Sequence, residues 1–308
     1  MSARLLTWSP ASASLGPAVV ALGVFDGVHV GHAALVRDAV AIADVQGVAS
    51  IVVTFDRDPD RVVDPDRAAP QLLELDDKLD ELAALSPGTV LVIPFDTGIA
   101  SMAPDAFLAD VLSNALDPVS VVVGHDFRFG RGASGDVAAL ERFGARAGFT
   151  VIAHRLVEDG GLPVSSTRIR GLVAAGDVVG AARLLARPHR VRGTVVHGRA
   201  AGKALGVPTA NISVPAHAAL PGAGVFAGRV HLAGGVYPSA ISVGVPPTFP
   251  QAHDLLEAHI IDFVGDIYGA EVTVEFLERL RDQRRFEHTA DLTGAILDDI
   301  RAVRQRVV

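Results

Sequence analysis

The chain has 308 residues, a formal charge of −8 and no cysteine. That length holds one large or two ordinary domains; the missing thiols exclude a disulfide scaffold, a thiolate zinc site and a cysteine nucleophile; and the acidic balance argues against a nucleic-acid partner, which usually meets a basic face. No run of about 18 apolar residues offers a membrane span and residues 1–17 lack the basic-then-apolar pattern of a secretory signal, so a cytoplasmic protein with no membrane partner is expected.

In chain order, apolar runs alternate with stretches of helical spacing. Residues 18–25 read as a buried strand and 33–46 as a helix. Strands follow at 49–55, 89–95, 119–124 and 150–153, with helices at 72–85, 104–116 and 135–147 between them. The helix at 104–116 opens on Pro104, where the missing N–H costs nothing. This alternation predicts an α/β unit with a doubly wound parallel sheet. Such strands are buried on both faces, hence the continuous apolar runs. Further helices are expected at 165–170 and 177–186. Past Pro188 the rhythm changes to short β-like runs at 191–196, 225–232, 240–244, 258–263 and 272–280, broken by Gly, Pro and Asn. These predict a small antiparallel β-barrel, closed by an amphipathic helix at 289–306. The expected domains are 1–186 and 187–308.

Ligands in open α/β sheets sit beyond the strand C-termini, and the polar motifs fall there. After the first long strand comes Gly23-Val24-Phe25-Asp26-Gly27-Val28-His29-Val30-Gly31-His32. Two histidines spaced His-x-Gly-His at a strand-to-helix turn suit a phosphate, because imidazole donors and helix N–H groups converge on developing negative charge. Gly23 and Gly31 allow the backbone close to a nucleotide. A metal pair lacking its third ligand and ordinary loop histidines are the other readings of the bare motif. A glycine-rich stretch, Gly198 to Gly206, runs into Pro208-Thr209-Ala210-Asn211 without the spacing of a Walker loop.

Three segments together carry a resemblance. Val24–His32 resembles the nucleotidyltransferase signature of the bacterial bifunctional riboflavin kinase/FMN adenylyltransferases (FAD synthetases), Gly124–Gly130 that family's second motif, and Val164–Arg170 its third. The resemblance implies that His29 and His32 act on the ATP phosphates, with Gly23, Phe25, Asp26 and Gly31 around the nucleotide. It implies that Asp126 places FMN and nucleotide, and that Ser165, Ser166, Thr167 and Arg170 hold the triphosphate. In the second half, Gly198–Asn211 resembles the riboflavin kinase signature. There Gly198, Gly202 and Gly206 would cover ATP, Thr209 and Asn211 would meet Mg²⁺ and phosphate, and Glu257 would be the base for the riboflavin 5′-hydroxyl. Arg279, Arg281 and Phe286 would lie near the flavin. The implied cofactor is Mg²⁺ with ATP; riboflavin, FMN and FAD are the implied flavins.

The chain departs from the family pattern at three places. Thr54-Phe55-Asp56-Arg57-Asp58-Pro59 stands where Thr-Phe-x-Pro-His-Pro is usual, so a carboxylate, Asp58, replaces a histidine and calls for Arg57 or a metal to offset it. Pro246 replaces an amide side chain, and Asp254 an arginine. These substitutions frame two alternatives: a relative with one working half, or a flavin-binding regulatory protein of the same fold. A tRNA-charging enzyme, suggested by His-x-Gly-His alone, is disfavoured because no basic anticodon-like domain follows.

Overall fold

The computed structural model describes residues 3–10, 14–198, 207–244 and 256–307. Its contacts separate two units, Met1–Ala69 with Leu75–Ser165, and Pro70–Glu74 with Ser166–Val308.

In the first unit the apolar runs form a six-stranded, wholly parallel sheet. Its strands are β1 (Arg4–Thr7), β2 (Ala18–Leu22), β3 (Ala49–Phe55), β4 (Thr89–Ile93), β5 (Pro118–Gly124) and β6 (Thr150–His154). Their order is β1-β4-β3-β2-β5-β6. All five residues of β2 are buried, as befits a central strand covered on both faces. Successive strands step outward from β2 to β4, then the chain returns to place β5 on the other side of β2. That reversal opens a crevice at the C-terminal ends of β2 and β5. The Gly23–His32 turn and the Gly124–Gly130 loop both emerge there.

Around the first turn the structure departs from the sequence expectation. The first long strand ends at Leu22 rather than 25, because Phe25, Gly27 and Val28 take φ values of 57°, 80° and 38°. The helix that follows begins at Val30 rather than 33 and runs to Gln46, because His29 caps it. Strand β1 was not expected; four residues at a sheet edge, with Leu5 half exposed, give too short a pattern. The helix from Pro104 to Leu116 forms, with a π-helical middle at Leu108–Ser113. A two-residue hairpin, β7 (Glu158–Asp159) and β8 (Leu162–Pro163), turns through Gly160 and Gly161, both at positive φ.

In the second unit two helices, Ser166–Ala174 and Val178–Leu185, precede a closed antiparallel barrel. The barrel consists of β9 (His189–Val196), β10 (Ala210–Ser213), β11 (Gly224–Leu232), β12 (Gly235–Val243), β13 (Leu256–Ile260) and β14 (Glu271–Arg281), in the order β10-β13-β12-β11-β14-β9. Strand β10 was absent from the expectation, hidden at the end of the glycine-rich stretch. Period-two alternation sends Phe226, Val230, Ile241, Val243, Leu256, Ala258 and Phe276 into the barrel. The helix Thr289–Val307 packs Val303 and Val307 against Ala227 and Ile261. Arg281 fastens it by donating Nε and Nη2 to the two oxygens of Asp299, at 3.0 and 2.7 Å.

Candidate functional site

Each unit carries one cluster of the residues singled out above. In the first, the turn after β2 brings its two histidines together. His29 is the N-cap of the Val30–Gln46 helix, and its Nδ1 accepts the His32 N–H at 3.2 Å. The two rings stack, with centroids 3.6 Å apart and planes 16° from parallel. Phe25 meets His32 edge-on at 5.2 Å. Gly31 makes the stack possible: a Cβ there would come within 3.1 Å of the His29 ring. Gly23 has a like role, since its Cβ would sit 3.0 Å from the Phe25 ring. Phe25 and Val28, though not glycine, hold positive φ. Such strain costs about 1–3 kcal/mol per residue and persists only where the surroundings enforce it; both side chains are buried.

This arrangement has definite acid–base consequences. With Nδ1 accepting a backbone N–H, a neutral His29 carries its proton on Nε2 and presents it as a donor. Burial above all, then the neighbouring His29 ring and the Lys78 charge, hold His32 well below the usual histidine pKa. Its buried Nδ1 has no hydrogen-bond partner among the described residues. The helix has no acidic residue in its first turn, so its free N–H groups and positive dipole end are not neutralised. An unsatisfied ring nitrogen, a helix start and a neutral imidazole stack suit an anion.

Asp26 is buried, three residues before His29. Asp126, after β5, is exposed and lines a cavity of about 260 Å³ with His125, Phe127, Arg128 and Asp136. Ser165 is half-buried and belongs to this unit; Ser166, Thr167 and Arg170 belong to the helix Ser166–Ala174 of the other. Within that second unit Arg170 donates Nε to Pro70 O at 2.6 Å.

The turn after β3 corrects the expected local chemistry. The Arg57 guanidinium is engaged by Asp56 through Nε and Nη2, at 3.2 and 2.7 Å. Burial would raise the Asp56 pKa. It is outweighed by the Arg57 hydrogen bond, the Phe95 N–H and the Arg57 and Lys78 charges, so the carboxyl lies below its ordinary value. Asp58 is not part of a solvated turn but buried, and its charge acts on Lys78. The motifs gave no sign of Lys78. Its only signal is rarity, as one of two lysines in the chain.

In the barrel, register does the assembling. Asn211 on β10 lies directly opposite Glu257 on β13, and Glu257 opposite Ser242 on β12. Directly paired side chains share a face with Cβ atoms about 5 Å apart, so the three form a row. Leu256 and Ala258, flanking Glu257, point into the apolar interior; the row faces the other way. A Cβ at Gly198 would run into the Asn211 carboxamide, so this glycine permits the close approach. Gln283 Nε2 donates to Ser242 Oγ at 3.1 Å and to Val243 O at 2.7 Å. His197 and Tyr268 stack beside Gly198, with centroids 3.8 Å apart, a pair the sequence did not suggest. Thr209 is half-buried just before β10. No cluster of three His, Asp or Glu that could hold a resident metal occurs among the described residues.

The three residues expected near the flavin make defined contacts within the second unit. Arg279 donates to Ala175 O at 3.3 Å and Ala223 O at 2.7 Å, and pairs with Asp282. Arg281 is taken by Asp299, and the Phe286 ring lies under Arg284 and Arg281, at 4.7 and 6.0 Å. Gly202, Gly206, Pro246 and Asp254 lie outside the described residues.

Comparison with known proteins covers most of the chain. The FAD synthetase family profile matches residues 11–168, and the riboflavin kinase profile residues 185–307. A Pseudomonas fluorescens bifunctional riboflavin kinase/FMN adenylyltransferase is 37% identical over 93% of this chain and 92% of its own. The Bacillus subtilis protein of that name is 32% identical over 91% and 90%. A solved Streptococcus pneumoniae structure, titled a macrolide-efflux protein, superposes with a TM-score of 0.86 at 30% identity, covering 97% of this chain and 98% of that one. No helix among the described residues is long and apolar enough to cross a membrane.

Proposed function

The chain belongs to the bifunctional riboflavin kinase/FMN adenylyltransferase family, so it phosphorylates riboflavin to FMN and adenylylates FMN to FAD, and we propose that each half performs one step with the clusters described above. In the first half, the FMN phosphate attacks the α-phosphorus of ATP and pyrophosphate leaves. No protein group becomes covalently modified. The work is positioning and charge stabilisation, the main requirement of phosphoryl chemistry. His29 offers Nε2–H, the Val30–Gln46 helix offers its first N–H groups, and neutral His32 completes its unsatisfied nitrogen with the phosphate. Asp126, beside the neighbouring β5, orients FMN, and Ser165 takes part in holding the triphosphate. Gly23, Phe25, Asp26 and Gly31 shape the turn around the nucleotide.

In the second half, Glu257 accepts the proton of the riboflavin 5′-hydroxyl as that oxygen attacks the γ-phosphorus of ATP. Gly198, with Gly202 and Gly206, covers the nucleotide. Thr209 and Asn211 offer hard oxygen donors of the kind Mg²⁺ prefers, next to a carboxylate in register. Mg²⁺ carried in with ATP supplies charge neutralisation at the phosphates. Arg279 and Arg281, whose charges are already engaged, bound the flavin side through their backbone, and Phe286 does so through its ring edge.

The observation that carries the assignment is the stacked His29–His32 pair at a helix N-terminus in the crevice between β2 and β5. Riboflavin and MgATP given to the purified enzyme should yield FMN first and FAD after it, with ADP and pyrophosphate as co-products. A protein that bound flavin but consumed no ATP would defeat the reading.

A further inference from the structure

Glu257 stands in the middle of the barrel row: Asn211 on β10 lies opposite it on one side and Ser242 on β12 on the other. Neighbouring strands run about 4.8 Å apart, so the base sits between an amide and a hydroxyl. The amide belongs to the phosphate side of the proposed reaction. The hydroxyl has no part in it so far.

Ser242 is half-buried and held in place. Gln283 Nε2 lies 3.1 Å from its Oγ, 2.7 Å from Val243 O and 3.2 Å from Gly244 O. Two of these neighbours are carbonyl oxygens, so the carboxamide turns its NH₂ toward them and the serine oxygen accepts. The serine proton then points elsewhere, and among the described residues it has no acceptor. The same arrangement leaves Gln283 Oε1 buried with no partner among the described residues. An unmade buried hydrogen bond is costly; what it maintains here is a fixed serine oxygen with a free donor, one strand from the base. In an in-line transfer the attacking 5′-oxygen lies between the phosphorus and the rest of the flavin. Phosphate on the Asn211 side of Glu257 therefore sends the ribityl chain toward the Ser242 side. The first group it brings there is the 4′-hydroxyl, vicinal to the reacting one. Taken out of water, that hydroxyl needs a partner, and Ser242 has a proton to give and a lone pair left to receive one.

We propose that Ser242 binds the 4′-hydroxyl of riboflavin and so makes the kinase half specific for the ribityl chain, with Gln283 as the positioning residue that fixes the serine oxygen. The proposal rests on the reading of Glu257 as the base and of Asn211 as a phosphate-side residue.

The test pairs each variant with a change of substrate. Riboflavin and 4′-deoxyriboflavin are phosphorylated with MgATP, and the ratio of their kcat/KM values is read in wild type, Ser242→Ala, Ser242→Thr and Gln283→Met. Wild type should favour riboflavin roughly tenfold or more, because the analogue leaves the serine unpaired. In Ser242→Ala the ratio should fall to about threefold or less, whatever the absolute rates, since neither flavin then has a partner there. Gln283→Met should lower the ratio as well, while Ser242→Thr, which keeps the hydroxyl, should preserve it. Loss of packing alone would slow both flavins alike and leave the ratio unchanged; that result in Ser242→Ala or Gln283→Met overturns the proposal. So does a wild-type enzyme that uses the two flavins equally well, a result that needs no variant to fold. A Glu257→Ala enzyme that phosphorylated riboflavin at the wild-type rate would instead defeat the reading on which the proposal rests.

Discussion

Lowering the pH should weaken the barrel through one residue, His189. It opens β9, is 1% exposed, and donates Nε2–H to Ala219 O at 2.7 Å, with its ring against Phe276. Burial, only partly opposed by the Ala219 hydrogen bond, lowers its pKa from 6.5 to about 4. The folded pKa lies below the unfolded one, so as pH falls the unfolded chain takes up the proton first. The stability that neutral His189 confers is thus complete above pH 6.5 and is lost progressively toward pH 4. At about 1.4 kcal/mol per pH unit, moving from pH 7 to pH 4.5 removes about 2–3 kcal/mol. Hydrogen exchange of the β9, β11 and β14 amides reads that loss as a fall in opening free energy. His189→Gln keeps a donor without a titrating ring, and its barrel should lose that much less over the same interval. Parallel losses in wild type and variant would refute the argument.

Four further outcomes follow from the same contacts. Asp299→Ala strands the Arg281 guanidinium and should loosen the Thr289–Val307 helix, costing about 2 kcal/mol, less than a fully buried pair because Arg281 is partly exposed; chemical denaturation measures it. Gly198→Ala drives a methyl into the Asn211 carboxamide and should cut riboflavin phosphorylation at least tenfold while FAD synthesis from FMN persists, as product chromatography would show. Because burial keeps His32 neutral, the rate of FAD synthesis should show no histidine-like inflection near pH 6.5; a fall centred there that His32→Asn abolished would contradict this. Chelation of Mg²⁺ should stop both steps, and added Mg²⁺ restore them.

How much of this was legible in the sequence depended on whether the cause was local. Strands β2 to β5 announce themselves because a doubly covered parallel strand is an unbroken apolar run. The four-residue strands β1 and β10 do not, being too short for a period. The histidine pair was legible because its partners are three residues apart and the turn between strand and helix is encoded by adjacent glycines. Its stacking and the capping role of His29 were not, since these depend on φ values at Phe25 and Val28 that no residue preference foretells. Lys78 stayed hidden because its partners, Val24, Phe55 and Asp58, come from two other segments. The barrel row behaves alike. Glu257 could be named from its motif, but only strand register sets Asn211 and Ser242 beside it. Arg279 and Arg281 could be named from motif position, but their contacts with backbone carbonyls, Asp282 and Asp299 could not, because those partners lie on other segments or depend on the fold.

The central claim is that two separate clusters perform the two steps. Its most direct measurement is the product time course from riboflavin and MgATP with His29→Ala and Glu257→Ala, each also supplied with FMN. His29→Ala should accumulate FMN and make no FAD. Glu257→Ala should leave riboflavin unconverted yet turn supplied FMN into FAD, its kinase rate down roughly 10²–10⁴-fold, the usual contribution of a general base. Either substitution abolishing both activities in a folded protein would contradict the account.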